Sequence, residues 1–386
     1  MLAVLVPGQG SQKPGFLAPW LPVPGVAPRL RWWSVLAGHD LVHLGTEAGP
    51  DEIKDTARTQ PLLVAAALVA AEQLPLYDVA IVAGHSVGEL AAAALAGVLT
   101  PEAAVTLAGV RGREMAAACA LEPTGMSAVL GGEPDDVLAA IAAAGLHPAN
   151  HNGPGQIVAA GSLSGLEKLA AEPPARTRVV PLQVAGAFHT PYMAPAEDAL
   201  ASVAAGITPG TPTKILLSNR DGSAVDHGPA MLQRLVRQVT APVRWDLCLA
   251  TLADLGVTAI IELPPAGTLT GLAKRVLKGV ELVAVNTPDD LPAARDAIAR
   301  HGVAPTHEPH PQFRVVVAGV AGTFEPATGL AEGDHVLAGQ ALGRIVTRQG
   351  PVEVNAHDAG VLTEWLAHHD DPVAPGQPLA RIGEAL

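Results

Sequence analysis

Val79-Ala80-Ile81-Val82-Ala83-Gly84-His85-Ser86-Val87-Gly88-Glu89-Leu90 decides the fold. Val79–Ala83 is a short apolar run, read as a buried strand. Gly84-His85-Ser86-Val87-Gly88 is a G-x-S-x-G turn, whose glycines let the backbone reverse sharply. Leu90–Ala96 is alanine-rich and reads as a helix. Strand, sharp turn and helix in that order expose the serine oxygen, and the Val87 N–H at the helix start is aimed where an oxyanion would form. A serine at a helix start also serves as a plain N-cap, so the turn by itself leaves both roles open.

The flanking pattern is that of an α/β protein. Leu2–Val6 is a second buried strand, ending at Pro7-Gly8-Gln9-Gly10-Ser11. Pro61 is read as opening a helix that runs to about Leu74, and Pro101–Ala118 as another. From about Thr124 the pattern changes to a small α+β unit. Its strands are expected at Met126–Leu130, Gln156–Ala160 and Arg178–Gln183, its helices at Glu133–Ala144 and Leu163–Ala171. The larger pattern resumes with strands Lys214–Ser218, Thr258–Glu262 and Leu282–Val285 and helices near Met231–Val239 and Leu269–Leu277.

Composition narrows the function. The 386 residues are 49% hydrophobic and 16% charged, so the chain folds rather than staying disordered. A net charge of −13 leaves no basic surplus for a nucleic-acid partner. The longest apolar block, Pro61–Ala71, is too short to span a bilayer, and Leu2–Val6 has no basic residues before it, so neither membrane span nor signal peptide is expected. The two cysteines, Cys119 and Cys248, form no CxxC unit and fit a reducing compartment. A cytoplasmic enzyme is the expectation. Oligomeric state is left open, a monomer being compatible with the pattern.

A serine nucleophile needs a base. Of 14 histidines, His189 in Gly186-Ala187-Phe188-His189-Thr190-Pro191 follows a strand on a loop and is the best candidate. His85 adjoins the serine, but its side chain is expected to point away at the turn. Arg111 stands about 25 residues after Ser86 in an apolar helical run. Buried there it needs an anion, and its fork of N–H donors suits a carboxylate as well as it suits a structural ion pair. No H-E-x-x-H or comparable metal pattern occurs.

Together these residues resemble malonyl-CoA:acyl-carrier-protein transacylases and the acyltransferase domains of fatty-acid and polyketide synthases. The matching motifs, in order, are Pro7-Gly8-Gln9-Gly10-Ser11-Gln12, Thr59-Gln60-Pro61, Gly84–Glu89, Arg111-Gly112, Asn152-Gly153-Pro154-Gly155-Gln156, Ala187-Phe188-His189-Thr190 and Leu235-Val236-Arg237-Gln238. They cover about residues 1–290. The resemblance implies an α/β fold: a large α/β-hydrolase-like subdomain around a mostly parallel sheet, with a ferredoxin-like insert over 124–187. It implies Ser86 as nucleophile and His189 as base, the latter oriented by the main-chain carbonyl of Gln238. It implies an oxyanion hole from the N–H groups of Gln9 and Val87, Arg111 pairing with the malonyl carboxylate, and Gln60 and Asn152 near the pocket. Phe188 resembles the malonyl-selective pattern, where a bulky residue restricts the α-carbon substituent. The substrate would be a coenzyme A thioester and the partner an acyl carrier protein, with no cofactor. Carrier proteins are acidic, so docking calls for a basic surface, and Lys274, Arg275 and Lys278 form the densest cation cluster. One departure stands out: the family's Gly-Pro-Gly turn after the late strand is here Leu263-Pro264-Pro265-Ala266-Gly267, in a loop that neighbours the carrier-facing surface in the family.

Residues 301–312 carry three prolines and read as a linker after an acyltransferase domain over 1–300. Beyond it lies a repeat. Gly333–Ile345 matches Asp370–Ile382 at seven of thirteen positions, with an offset of 37. Short strands that pair with their own twin imply a small β-sandwich with internal pseudo-symmetry. Residues 313–386 resemble the biotinyl/lipoyl carrier domain. The modified lysine of that family would fall near Gln349, whereas the last lysine of the chain is Lys278, so no biotin or lipoyl attachment is expected. Two other functions share parts of this pattern. A serine esterase or thioesterase shares G-x-S-x-G but needs an acid partner, and none precedes His189 in a convincing late-strand context. A non-catalytic carrier or docking protein accounts for the C-terminal repeat alone.

Overall fold

The two apolar runs that end at Pro7 and Gly84 lie side by side. In the computed structural model, which describes residues 1–302, 313–357 and 359–383, strand β1 (Leu2–Val6) pairs in parallel with β2 (Ile81–Gly84). Every residue of both strands is buried, as strands covered on both faces require. The chain continues through β3 (Thr124–Gly131), β4 (His147–His151), β5 (Gln156–Ser162), β6 (Thr177–Pro181), β7 (Ile215–Leu217), β8 (Ala224–Val225), β9 (Val243–Arg244), β10 (Ala259–Glu262) and β11 (Glu281–Ala284). The main sheet has the order β11-β10-β1-β2-β7-β8. Its pairs are parallel from β11 to β7, and β8 returns antiparallel at the edge. The fold class is therefore mixed α/β with a mostly parallel sheet. The loops after β1, β2 and β7 leave the sheet at the carboxyl ends of neighbouring strands, where α/β sheets bind ligands.

A second sheet has the order β6-β3-β5-β4-β9. All its pairs are antiparallel except β4 with β9. Helices Pro134–Ala143 and Leu163–Ala171 close over it around Val129, Ile141, Leu146, Ile157 and Leu169. Two features depart from the sequence reading. The His-Pro-Ala-Asn-His stretch has no apolar alternation, yet it is a strand because β5 and β9 flank it. And β9 joins this sheet from far beyond residue 187, the expected end of the insert.

The helix expected to open at Pro61 instead runs Thr56–Ala71, with Pro61 inside it. Asp55 starts it by accepting the Ala57 N–H at 2.9 Å. The missing Pro61 N–H leaves a carbonyl near Ala57 unbonded within the helix. There the Pro101–Cys119 helix comes close: a Cβ on its Gly112 would lie 3.0 Å from the Ala57 carbonyl oxygen.

Contacts divide the chain into two units, Met1–Pro19 with Leu36–Ala304, and Trp20–Val35 with Pro305–Leu386. The expected boundary at residue 300 thus misses that most of the Val26–Ala37 helix groups with the C-terminal part. The linker expectation over 301–312 lies outside the described residues except at its start, where His301 still ends the Leu291–His301 helix.

The second unit contains β12 (Phe313–Val317), β13 (Gly322–Pro326), β14 (His335–Val336), β15 (Ala341–Thr347), β16 (Gly350–Asn355), β17 (Gly360–Trp365), β18 (Pro372–Val373) and β19 (Pro378–Gly383). They form two four-stranded sheets, β12-β19-β17-β14 and β16-β15-β13-β18. A shift of 37 residues turns β12–β15 into β16–β19, and so converts the first order into the second. Each sheet therefore takes strands from both halves, and Phe324, Leu342, Ile345, Leu362, Leu379 and Ile382 fill the space between them. The turn at Gly376 lies against the Val26–Ala37 helix, where a Cβ would sit 2.0 Å from the Pro28 carbonyl oxygen. Among the described residues no helix is long and apolar enough to cross a membrane.

Candidate active site

Ser86 leaves β2 with φ of 53°, a left-handed conformation that side chains other than glycine rarely adopt. The glycines around it answer a steric demand. A Cβ on Gly84 would fall 2.1 Å from the Gly88 carbonyl, and one on Gly88 would fall 2.4 Å from the Val6 carbonyl oxygen. The Gly88–Leu95 helix can thus start against the sheet only if both positions are bare, with Val87 at its N-cap.

His189 also has a left-handed φ, 60°, and is buried. Its Nδ1 is 2.8 Å from the Gln238 carbonyl oxygen and its Nε2 is 2.7 Å from Ser86 Oγ. A carbonyl only accepts, so Nδ1 carries the proton and Nε2 receives the Ser86 hydroxyl. Burial and the nearby Arg111 charge push the imidazole down from 6.5 to about 3, so it is neutral at physiological pH.

Arg111 projects from the Pro101–Cys119 helix and is 2% exposed. Its Nη1 donates to Gln60 Oε1 at 2.5 Å. Its Nη2 donates to Gln238 Oε1 at 2.9 Å and to Ser86 Oγ at 3.3 Å. The three oxygens are neutral. Burial lowers the guanidinium to about 10, which leaves it charged at neutral pH. Gln238 holds the centre together: its Nε2 donates to the Ser86 carbonyl at 2.9 Å and to Glu89 Oε2. Glu89 is 1% exposed, and burial raises it to about 8.

The remaining sequence candidates lie at graded remove. Gln9 follows β1 and its side chain donates to Thr56 Oγ1 at 3.3 Å. Asn152 Oδ1 is 2.9 Å from His85 Nε2, so the imidazole next to the nucleophile is directed to the loop before β5. Phe188 is buried beside His189 in sequence. Lys274, Arg275 and Lys278 are exposed at the end of the Thr268–Val276 helix, where Arg275 donates to Gln156 Oε1 at 3.3 Å. The departing loop 263–267 is anchored by buried Glu262, which accepts from the N–H groups of Gly267, Leu269 and Thr270 and so caps that helix.

Asn219 and Glu89 escaped the sequence reading as working residues. Glu89 was visible in the motif, but its partners come from other elements. Asn219 carries no motif of its own. No metal pattern was expected. The group of the described residues that is close enough to hold an ion, Glu325, His369 and Asp370, is in the second unit. There Glu325 accepts from Arg344 Nε at 2.5 Å, which accounts for its charge. Both cysteines are free thiols.

Comparison with known proteins agrees with this geometry. Residues 33–307 match the acyl transferase domain family. The malonyl CoA-acyl carrier protein transacylase of Mycobacterium tuberculosis is 57% identical over 296 residues, 75% of this chain and 98% of the relative. A crystal structure of MCAT from Mycobacterium tuberculosis superposes with a TM-score of 0.75 at 56% identity, covering 76% of this chain and 99% of that one. A type II PKS acyl-carrier protein in complex with its malonyl-transacylase superposes at 0.70 with 32% identity, covering 76% and 99%. A Ser–His pair oriented by a carbonyl, an arginine beside the hydroxyl, and identity this high over nearly the whole length of the relatives lead to one conclusion: the chain belongs to the malonyl CoA-acyl carrier protein transacylase family.

Proposed function

We propose that the chain moves a malonyl group from malonyl-CoA to the phosphopantetheine thiol of an acyl carrier protein, in fatty-acid or polyketide synthesis, through an acyl-Ser86 intermediate. The observation that carries this reading is the position of Arg111 Nη2, 3.3 Å from a hydroxyl that is also 2.7 Å from His189 Nε2. A cation beside the nucleophile suits an acyl group that ends in a carboxylate.

The steps follow from the geometry. Ser86 Oγ attacks the thioester carbonyl as its proton passes to His189 Nε2. Negative charge gathers on the former carbonyl oxygen and is met by the N–H groups of Val87 and Gln9; losing one such donor typically costs ~10²–10³ in rate. The tetrahedral intermediate expels the coenzyme A sulfur, which takes the proton from His189. The carrier thiol then gives its proton to His189, attacks the acyl-serine and restores the Ser86 hydroxyl. Gln238 holds the imidazole through its carbonyl, so the dyad needs no carboxylate of its own. Gln60 holds the guanidinium, and Asn152 holds His85 away from the nucleophile. Phe188 limits bulk at the α-carbon. Lys274, Arg275 and Lys278 offer the basic face for the acidic carrier.

The order β6-β3-β5-β4 with two covering helices supports a ferredoxin-like insert. The sharp β2–Ser86–helix turn in a parallel sheet supports an α/β-hydrolase-like large subdomain. Two sheets exchanged by a 37-residue shift support a biotinyl/lipoyl-like sandwich. Its β15–β16 hairpin carries Arg348-Gln349 where a modified lysine would stand, so no prosthetic group is attached there. Two free thiols favour a reducing compartment such as the cytoplasm.

Intact-mass measurement after incubation with malonyl-CoA tests the proposal. A malonyl adduct on Ser86 that is discharged faster with carrier protein than without supports it. Discharge at one rate in both cases identifies a hydrolase, and no adduct identifies a non-catalytic protein.

A further inference from the structure

The neighbour of β2 in the main sheet brings a second side chain to the elbow. β7 pairs with β2 in parallel, Ile81 opposite Ile215 and Val82 opposite Leu216. Two residues past that register the chain reaches Ser218 and Asn219, beside Gly84 and His85. Asn219 is fully buried. Its Nδ2 donates to the Gly84 carbonyl oxygen at 2.7 Å and its Oδ1 accepts the Ser86 N–H at 2.7 Å. The amide orientation is forced, since Gly84 O only accepts and Ser86 N–H only donates. Asn219 is itself pinned: its N–H donates to Glu89 Oε1 at 2.6 Å and its carbonyl accepts from the Arg244 N–H at 2.7 Å.

We propose that Asn219 is the positioning residue of the nucleophile, its amide bridging Gly84 and Ser86 to hold the serine in its left-handed conformation. The inference rests on the acyl-Ser86 reading. The elbow holds Ser86 at a φ of 53° that sterics oppose, and the bridge closes that turn from outside with one donor and one acceptor. Cutting it lets Ser86 relax from the strained region. Oγ then leaves His189 Nε2, and the Val87 N–H turns away from the oxyanion. A shift of about 1 Å at a reacting atom costs on the order of 100-fold in rate.

The Asn219→Asp variant separates positioning from mere packing. A protonated carboxyl there would donate its O–H to Gly84 and accept from Ser86, reproducing the bridge. An ionised one would set a second anionic oxygen against the Gly84 carbonyl. The groups facing it are the carboxyl of Glu89, the neutral amide of Gln238 at 3.5 Å and the thiol of Cys248 at 3.9 Å, with Arg111 and Arg234 acting on Glu89 from beyond. Burial among these groups favours the neutral acid, and burial likewise keeps Cys248 a thiol.

The test measures the rate of Ser86 malonylation by intact mass in the full chain, for wild type, Asn219→Asp and Asn219→Ala, across about pH 5.5 to 9. Asn219→Asp is expected to work within about tenfold of wild type at low pH and to lose on the order of 100-fold as pH rises, beyond any change in wild type, which shares the same Glu89. Asn219→Ala is expected to lose a similar factor at every pH, through kcat rather than KM. A wild-type pH profile in Asn219→Asp, or its inactivity at every pH, overturns the proposal. So does an Asn219→Ala loss that falls on KM. Absence of a wild-type adduct refutes the functional reading itself and is thereby distinguished from failure of this inference.

Discussion

Replacing Arg111 by alanine removes a guanidinium that contacts three neutral oxygens and is almost wholly shielded from water. Its charge persists at the pH of any ordinary assay, because burial lowers it only to about 10. On the proposed function it would face the malonyl carboxylate in the acyl-enzyme, and truncating one partner of a buried, hydrogen-bonded charge pair costs about 2–5 kcal/mol. At 1.36 kcal/mol per decade this is roughly a 30- to several-thousand-fold loss of malonylation. Acetyl-CoA has no carboxylate to lose. For that donor the wild-type guanidinium stays satisfied by Gln60 and Gln238, so Arg111→Ala changes acetylation only a few-fold. The malonyl-to-acetyl ratio should therefore fall by at least about tenfold. Arg111→Lys keeps a charge without the planar fork and should fall between. The assay follows Ser86 adduct formation by intact mass, with malonyl-CoA and acetyl-CoA in parallel. Equal losses for both donors would refute the argument and make Arg111 a structural tie between Gln60 and Gln238.

Ser86→Ala should abolish the malonyl adduct while the thermal midpoint stays within a few degrees of wild type; any residual adduct would locate the nucleophile elsewhere. Because His189 titrates near 3 rather than 6.5, the malonylation rate should be level from about pH 8 down to about pH 5, and an inflection near the ordinary histidine value would show a solvated imidazole. Glu89 has a folded-state value of about 8, above the 4.5 of a free side chain, so the folded form holds a proton that the unfolded form has released. Its contribution to stability therefore falls as pH rises from 4.5 to about 8. Denaturant titrations of Glu89→Gln and wild type should differ with that slope, and a constant difference across the window would refute the assignment. Charge reversal at Lys274 and Arg275 should raise the KM for carrier protein without slowing adduct formation; an unchanged KM counts against docking there. Deleting residues 305–386 should lower the thermal midpoint, because the Val26–Ala37 helix loses its partners in the second unit, and an unchanged midpoint would show that helix to be supported otherwise.

The amino-acid order alone carried the strand, turn and helix around Ser86, because that motif is local: an apolar run, two bare glycines and an alanine-rich segment, all close together in the chain. It also carried the 37-residue repeat, whose two copies became strands of exchanged sheets. The candidacy of His189, Arg111 and the Gln238 carbonyl was legible through the ordered motifs of a family. Tertiary structure decided the rest. The His147–His151 strand has no strand pattern of its own and exists because two neighbours supply its hydrogen bonds. Residues 20–35 group with a unit that begins at Pro305, which no local periodicity encodes. Most of all, the backbone of Ser86 is held by Asn219 and Gln238, which reach its N–H and carbonyl from a neighbouring strand end and a helix end, while Glu89 ties the two together. Their hydrogen bonds depend on parallel register and burial, and these arise only when distant segments pack.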